Sequence, residues 1–320
     1  MAALLSNIAL IFPGQGSQSV GMARTIYDHN ITKTAELADR IFGSKLTDVM
    51  FNGPAEKLNQ TRYTQPAILT ASVMILEYMR SFGEVDVICA AGHSIGEYSA
   101  LVAAGVMSFE TALSLVKIRA DAMDEASPKN PERDTPLGAM SAILGGDVDI
   151  LSEIINDLCS DDELLCSIAN YNCPGQIVIT GLREYVEQVC ERAISNGAKK
   201  GVMLPVSGPF HSKWMQPAAE RLTHALAAIR LEPPNFPVIS NVTGQPTALE
   251  DVKKLLPRQV VAPVRWSDCM ETMVKLGADT FIEIGSGNVL SGISKRCAPD
   301  KTFVSLQTTS DVEAFMSENV

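Results

Sequence analysis

Gly92-His93-Ser94-Ile95-Gly96 places a serine between two glycines at a spacing that suits a nucleophile. In such an elbow a strand turns into a helix so tightly that neither glycine position has room for a Cβ, and the hydroxyl is held at the sheet edge. The bare pattern arises by chance in about one chain of this length in ten, so its context decides. Here apolar Val85 to Ala90 reads as a strand before it and Glu97 to Ala104 as a helix after it. The plain alternative is an ordinary turn whose serine caps the helix. The two readings are compatible, because a helix N-terminus also favours an anionic intermediate.

A serine hydroxyl needs a base to become a nucleophile. Four histidines are available: His29, His93, His211 and His224. His93 adjoins Ser94 and on a tight turn would point away from it. His224 falls in an amphipathic helical pattern and His29 in a polar loop. His211 follows Val206-Ser-Gly-Pro-Phe210, a loop leaving a strand where an α/β domain places its active-site segments, and it is the favoured base. A bare elbow would also seek an acid, for which Asp279 and Glu283 are the candidates. The seven cysteines form an odd set without a C-x-x-C pair and read as reduced thiols. The even spacing of Cys159, Cys166 and Cys173 spans a change from helical to strand pattern and is read as coincidence, and only four histidines are available to complete a metal site, so none is expected. No cofactor is expected either.

These residues must be held by the elements around them. Strand-length apolar runs alternate with helical patterns: Ile8 to Phe12, Thr32 to Phe42, Pro66 to Phe82, Val85 to Ala90, then a helix Thr111 to Met123. That alternation implies a parallel sheet covered on both faces. Ser127 to Pro136 holds three prolines in ten residues and reads as a linker. Beyond it come strand Gly138 to Leu144, helix Val148 to Leu158, strands Leu165 to Ala169 and Gln176 to Gly181, helix Arg183 to Asn196 and strand Gly201 to Val206. This β-α-β-β-α-β order predicts a ferredoxin-like module over 136–206. It would be inserted in a larger α/β-hydrolase-like domain of residues 1–135 and 207–320. The larger unit resumes with helix Lys213 to Ile229, strand Pro237 to Asn241, helix Trp266 to Leu276 and strand Thr280 to Ile284.

At 320 residues, 46% hydrophobic and 20% charged, the chain can bury a sizeable core. A net charge of -11 argues against nucleic acid or an anionic membrane as partner, and any anionic partner must dock on a local basic patch. The segment Met1 to Asn7 has no basic region before its short apolar stretch and reads as neither signal peptide nor anchor. A cytoplasmic monomer is expected, with a plastid or mitochondrion the alternative had a transit peptide been removed.

The chain resembles the malonyl-CoA:acyl carrier protein transacylases of fatty acid synthesis, which are related to polyketide synthase acyltransferase domains. The resemblance is carried by Phe12-Pro-Gly-Gln-Gly-Ser-Gln18, Tyr63-Thr-Gln-Pro-Ala67, Gly92-His-Ser-Ile-Gly-Glu97, Arg119, Asn170-Tyr-Asn-Cys-Pro-Gly-Gln176, Val206-Ser-Gly-Pro-Phe-His-Ser212, Ser240-Asn-Val242, Arg258-Gln259 with Pro263-Val264, and Glu283-Ile-Gly-Ser-Gly287. It implies transfer of malonyl from malonyl-CoA to an acyl carrier protein in two half-reactions, with Ser94 as nucleophile and His211 as base. In that family no acid completes the set, and the histidine is oriented by a main-chain carbonyl, here matched to Gln259. The backbone N–H groups of Gln15 and Ile95 would form the oxyanion hole. Arg119 would bind the free malonyl carboxylate, with Gln65, Asn170, Asn172 and Gln259 among the substrate-binding residues. Phe210 resembles the malonyl-selecting variant, whose ring crowds out an α-methyl branch. The chain departs from the family at Gly285-Ser286-Gly287, where Gly-Pro-Gly is common, at Asn288, where a basic residue is frequent, and in a longer Ser127 to Pro136 linker. The competing readings are a serine ester or thioester hydrolase, which would gain nothing from Arg119, and a catalytically silent carrier-docking module.

Overall fold

The computed structural model describes residues 7–29, 31–132, 135–160 and 162–319. The segment 1–6, on which most of the leader expectation rests, and part of the linker, 133–134, lie outside them. The chain opens with β1 (Ile8–Phe12), four short to medium helices α1 (Arg24–Asp28), α2 (Thr32–Phe42), α3 (Leu46–Asn52) and α4 (Ala55–Leu58), and the long α5 (Thr61–Arg80). Then come β2 (Val87–Gly92), α6 (Gly96–Ala103) and α7 (Phe109–Ala126). The next stretch holds β3 (Gly138–Leu144), α8 (Val148–Cys159), β4 (Cys166–Cys173), β5 (Gln176–Leu182), α9 (Arg183–Ser195) and β6 (Lys200–Met203). The chain finishes with α10 (Gln216–Ala227), β7 (Val238–Ile239), α11 (Val252–Gln259), α12 (Trp266–Lys275), β8 (Thr280–Ile284), α13 (Val289–Cys297), β9 (Thr302–Leu306) and α14 (Thr309–Asn319).

Two sheets result. One is parallel, ordered β7-β2-β1-β8-β9, and the other antiparallel, ordered β4-β5-β3-β6. All five residues of β1 are buried, because a central parallel strand is covered on both faces and so is apolar throughout. Its side chains divide by the period of two: Ile8, Leu10 and Phe12 join the core under α5, α6 and α7, while Ala9 and Ile11 join the one under α12 and α13. The antiparallel sheet divides likewise. Ala139, Ile143, Ile177 and Ile179 pack beneath α8 and α9, whereas Met140, Ala142 and Val178 face α7, α10 and Phe210. The second face closes the antiparallel sheet onto the rest of the molecule.

Several boundaries differ from expectation for local reasons. Strand β2 continues to Gly92 because Phe12 of β1 pairs with it. Helix α5 begins at Thr61, a turn before Pro66, since a proline within a helix forfeits one hydrogen bond but not the neighbouring turns. The expected helix 213–229 is a short 3-10 turn at Lys213–Met215 followed by α10, with Pro217 in the first turn of that helix. Strand β6 stops at Met203 rather than Val206, and β7 is two residues long.

Candidate active site

The paired ends of β1 and β2 create the site. Phe12 lies opposite Gly92, so the turns leaving both strands start side by side at the carboxyl edge of the parallel sheet. Between β2 and α6 Ser94 takes φ 52°, a left-handed conformation that a serine holds only under constraint. Both glycines are obligatory there. A Cβ on Gly92 would stand 1.9 Å from the carbonyl carbon of Gly96, and one on Gly96 would stand 2.2 Å from the Phe12 oxygen. Asn241, just past β7, clamps the elbow: its Oδ1 accepts from the Ser94 N–H at 2.7 Å and its Nδ2 donates to the Gly92 carbonyl at 2.8 Å.

The Ser94 hydroxyl lies 2.8 Å from His211 Nε2, and His211 Nδ1 lies 2.8 Å from the main-chain oxygen of Gln259. A carbonyl only accepts, so Nδ1 carries the proton and the neutral ring presents the Nε2 lone pair to the serine. Burial, reinforced by the Arg119 cation, pushes the His211 pKa down to about 3, which keeps the ring unprotonated at neutral pH. Neither acid candidate orients it. Asp279 is exposed and bonded to Lys301, and Glu283 accepts from the backbone N–H groups of Leu290 and Ser291 at the start of α13. The other histidines are engaged elsewhere. His93 Nε2 bonds to Asn172 Oδ1 at 2.9 Å beside Trp266, His29 Nδ1 meets the Thr25 carbonyl, and His224 is exposed on α10.

Arg119, on α7, is 1% exposed. Its Nη1 donates to Gln65 Oε1 at 2.7 Å, and its Nη2 to Ser94 Oγ and to Gln259 Oε1, both at 3.0 Å. Its Nε, also buried, has no hydrogen-bond partner. A buried guanidinium that bonds only neutral groups and keeps a free donor is ready to receive a carboxylate by its planar fork. It touches the hydroxyl that touches the base.

These groups open on a cavity of about 360 Å³ between the two sheets. Ser94, His211, Arg119, Gln65 and Phe210 line it together with Gln15, Ile95, Asn170 and Asn172. The Pro13–Gly16 turn is pressed against the elbow, since a Cβ on Gly14 would come within 2.6 Å of the His93 carbonyl. That contact brings the Gln15 backbone to the wall beside Ile95, where two N–H groups can serve one oxyanion. Gln259 is the exception among the expected residues. It is 1% exposed and does not line the cavity, so it stands behind the site and holds Arg119 and His211. Asn241 and Glu97 also belong to this back wall and were missed, although the chain has signals for both. Glu97 is a lone carboxylate opening an apolar helix, and Asn241 belongs to a polar pair, Ser240-Asn241, that follows a buried strand.

Among the described residues no group of three or more His, Cys, Asp or Glu could hold a metal ion, and no helix is long and apolar enough to cross a membrane.

Comparison with known proteins covers nearly the whole chain. The acyl transferase domain family model matches residues 9–307. A malonyl CoA-acyl carrier protein transacylase of Bacillus subtilis is 43% identical over 295 residues, 91% of this chain and 90% of that protein. The crystal structure of an acyl-carrier-protein S-malonyltransferase from Bartonella henselae superposes with a TM-score of 0.91 at 38% identity, covering 98% of this chain and 99% of that one. A malonyl-transacylase solved in complex with its type II polyketide synthase acyl carrier protein gives 0.92 at 36% identity, covering 98% and 100%.

Proposed function

The chain belongs to the acyl transferase domain family, among the malonyl-CoA:acyl carrier protein transacylases, and from that membership we propose a ping-pong transfer through a malonyl-Ser94 intermediate. His211 Nε2 takes the Ser94 proton as Oγ attacks the thioester carbon of malonyl-CoA. The resulting oxyanion faces the N–H groups of Gln15 and Ile95. Collapse breaks the C–S bond, and the departing coenzyme A sulfur takes the proton from His211. The phosphopantetheine thiol of an acyl carrier protein then gives its proton to His211 and attacks the serine ester. Collapse of that second intermediate forms the new thioester, and His211 returns its proton to Ser94.

The observation that carries this reading is Arg119, a buried cation 3.0 Å from Ser94 Oγ that bonds only neutral groups. An acyl group with a free carboxylate would satisfy it. Pairing would also relieve part of the positive field that depresses His211, so the carboxylated substrate makes its own base more basic. An ordinary esterase would carry the cost of burying this arginine for nothing.

We read the antiparallel sheet with α8 and α9 as a ferredoxin-like insertion over 136–206 in an α/β-hydrolase-like domain. Its support is the strand order β4-β5-β3-β6 around a β-α-β-β-α-β chain path.

Intact-mass measurement after mixing with malonyl-CoA tests the function. One malonyl unit should appear on the chain, disappear on adding the carrier protein in its thiol form, and never appear on Ser94→Ala. An adduct of full stoichiometry on that variant would move the nucleophile elsewhere.

A further inference from the structure

Behind the cavity lies a carboxylate that the mechanism above does not use. Glu97, in the first turn of α6 and 2% exposed, accepts from Gln259 Nε2 at 2.6 Å and from the Asn241 backbone N–H at 3.1 Å. The other end of the same Gln259 amide accepts from Arg119 Nη2 at 3.0 Å. With a carboxylate at one end, the amide nitrogen must face Glu97 and the oxygen must face Arg119. The Gln259 backbone oxygen meanwhile holds His211. One glutamine therefore joins the buried cation, the base and Glu97, and no described carboxylate is paired with Arg119 directly.

We propose that Glu97 is a positioning residue that sets acyl selectivity: through the Gln259 amide it fixes Arg119 and supplies the buried counter-charge that the substrate's free carboxylate must replace. The inference rests on the function proposed above. While Glu97 is ionised, the Glu97–Arg119 couple is neutral, and a malonyl carboxylate would add a second negative charge to a dry site. That charge is removed when Glu97 takes a proton from solvent, so a proton enters with malonyl and none with acetyl, which carries no carboxylate.

The surroundings allow this within an ordinary pH range. Burial is the main influence on Glu97 and pushes its pKa up to about 7, against the opposing hydrogen bonds from Asn241 and Gln259 and the Arg119 charge. The other groups facing it are Tyr98 on its own helix and Cys269 of α12, both pushed above their ordinary values by burial. His211 and His93, beyond Arg119, are pushed down by burial. Between pH 6 and pH 8 Glu97 is thus the group of this cluster that changes charge.

The test is the ratio of initial acyl-enzyme formation rates from malonyl-CoA and acetyl-CoA, in which titration of the shared coenzyme A phosphates cancels. In the unsubstituted chain the malonyl preference should fall about tenfold from pH 6 to pH 8, following the protonated fraction of a single group. Glu97→Gln keeps an acceptor for Gln259 without the charge, and its ratio should be flat and the higher of the two at pH 8. A flat ratio in the unsubstituted chain, or the same slope in Glu97→Gln, overturns the proposal. A second measurement does not depend on how that variant folds. Calorimetric titration of Ser94→Ala at pH 7 in buffers of different ionisation enthalpy should show about half a proton more taken up with malonyl-CoA than with acetyl-CoA. Equal uptake overturns the proposal. If Arg119→Ala impairs both donors equally, the carboxylate-reading function itself fails. If it impairs malonyl selectively while the ratio stays flat, only the role of Glu97 fails.

Discussion

His211 Nδ1 lies 2.8 Å from the carbonyl oxygen of Gln259, so the base is oriented by a peptide and not by a carboxylate. A carbonyl fixes the tautomer as an aspartate would, but it adds no negative charge beside the cavity. In a site that must accept an anionic acyl group next to a buried arginine, a third carboxylate would compete with the substrate for the same cation. The arrangement gives up stabilisation of the imidazolium and keeps room for the substrate's charge.

The low proton affinity of His211 has a measurable consequence. The ring stays neutral well below the ordinary value near 6.5, so acyl-enzyme formation should show no acid limb at pH 6 to 7, and the limb should fall below pH 5. Stability follows with a definite sign. The unfolded chain binds a proton at this residue below about pH 6.5 while the folded chain resists it down to about 3, so its share of stability is complete above 6.5 and is lost as pH falls. Melting curves of His211→Gln should lack that share, and the variant should load malonyl about 10²-fold or more slowly.

Arg119→Ala should weaken malonyl loading by about 2–5 kcal/mol and leave acetyl loading far less affected, because only malonyl offers a carboxylate to the guanidinium. Parallel rates with the two donors check it. Equal losses would make Arg119 a structural residue.

How much of this was legible in the chain depends on where each signal resides. The elbow was readable because both glycines answer to backbone contacts within a few residues or across one strand pair, at Gly96 and Phe12. The bounds expected for β1, β3 and β8 agree with the structure to the residue, since each is a mainly apolar, buried run in a sheet interior. No element is expected from the sequence at α1, α3, α4 or α11, nor at α13, β9 and α14 after Ile284: the first three span 5, 7 and 4 residues, too few to establish a period, and α11 carries Pro257 inside it. The back wall was the harder part. Gln259 meets His211 across 48 positions and Glu97 across 162, and no local pattern encodes a contact at that separation.

Phe210, 4% exposed, lines the cavity and packs in one cluster with Met140, Ala142, Val178 and Met215. Phe210→Ala opens space where an α-methyl branch would lie. Methylmalonyl loading should gain about tenfold or more relative to malonyl. The same truncation should lower stability by about 3 kcal/mol, seen as a fall in Tm.

Two glycine substitutions should have opposite outcomes. Gly92→Ala drives a methyl group into the Gly96 and Glu97 backbone at 1.9 to 2.3 Å, and little folded protein should be recovered. Gly292→Ala, at an exposed position of α13 with nothing inside 4 Å of the added carbon, should raise stability by up to about 1 kcal/mol. Soluble yield and Tm of the pair check both.

Carrier docking must overcome the net charge of -11, because acyl carrier proteins are typically acidic, and so it requires a local basic surface. Lys254 is paired with Asp251, which leaves Lys253, bonded to the Ala227 carbonyl at 3.1 Å, as the one charge of that pair without a described carboxylate partner. Lys199 and Lys200 are exposed and paired with no described carboxylate. The Lys199 N–H donates to the Leu144 carbonyl at 2.8 Å, beside the Gly145 turn, whose own N–H donates to the Gly175 carbonyl at 2.7 Å. Gly175 precedes Gln176, which lines the cavity and is held by Arg296 at 3.0 Å. Lys199, Lys200 and Arg296 therefore stand close to one another beside the Gln176 wall of the cavity, which makes them the candidate docking patch. Lys199→Glu with Lys200→Glu should raise the KM for carrier protein and flatten its salt dependence, while malonyl loading of Ser94 stays nearly unchanged. Steady-state transfer at several ionic strengths, set beside single-turnover loading from malonyl-CoA, separates the two steps. If loading slows as much as transfer, the pair serves the coenzyme A phosphates and the carrier docks elsewhere.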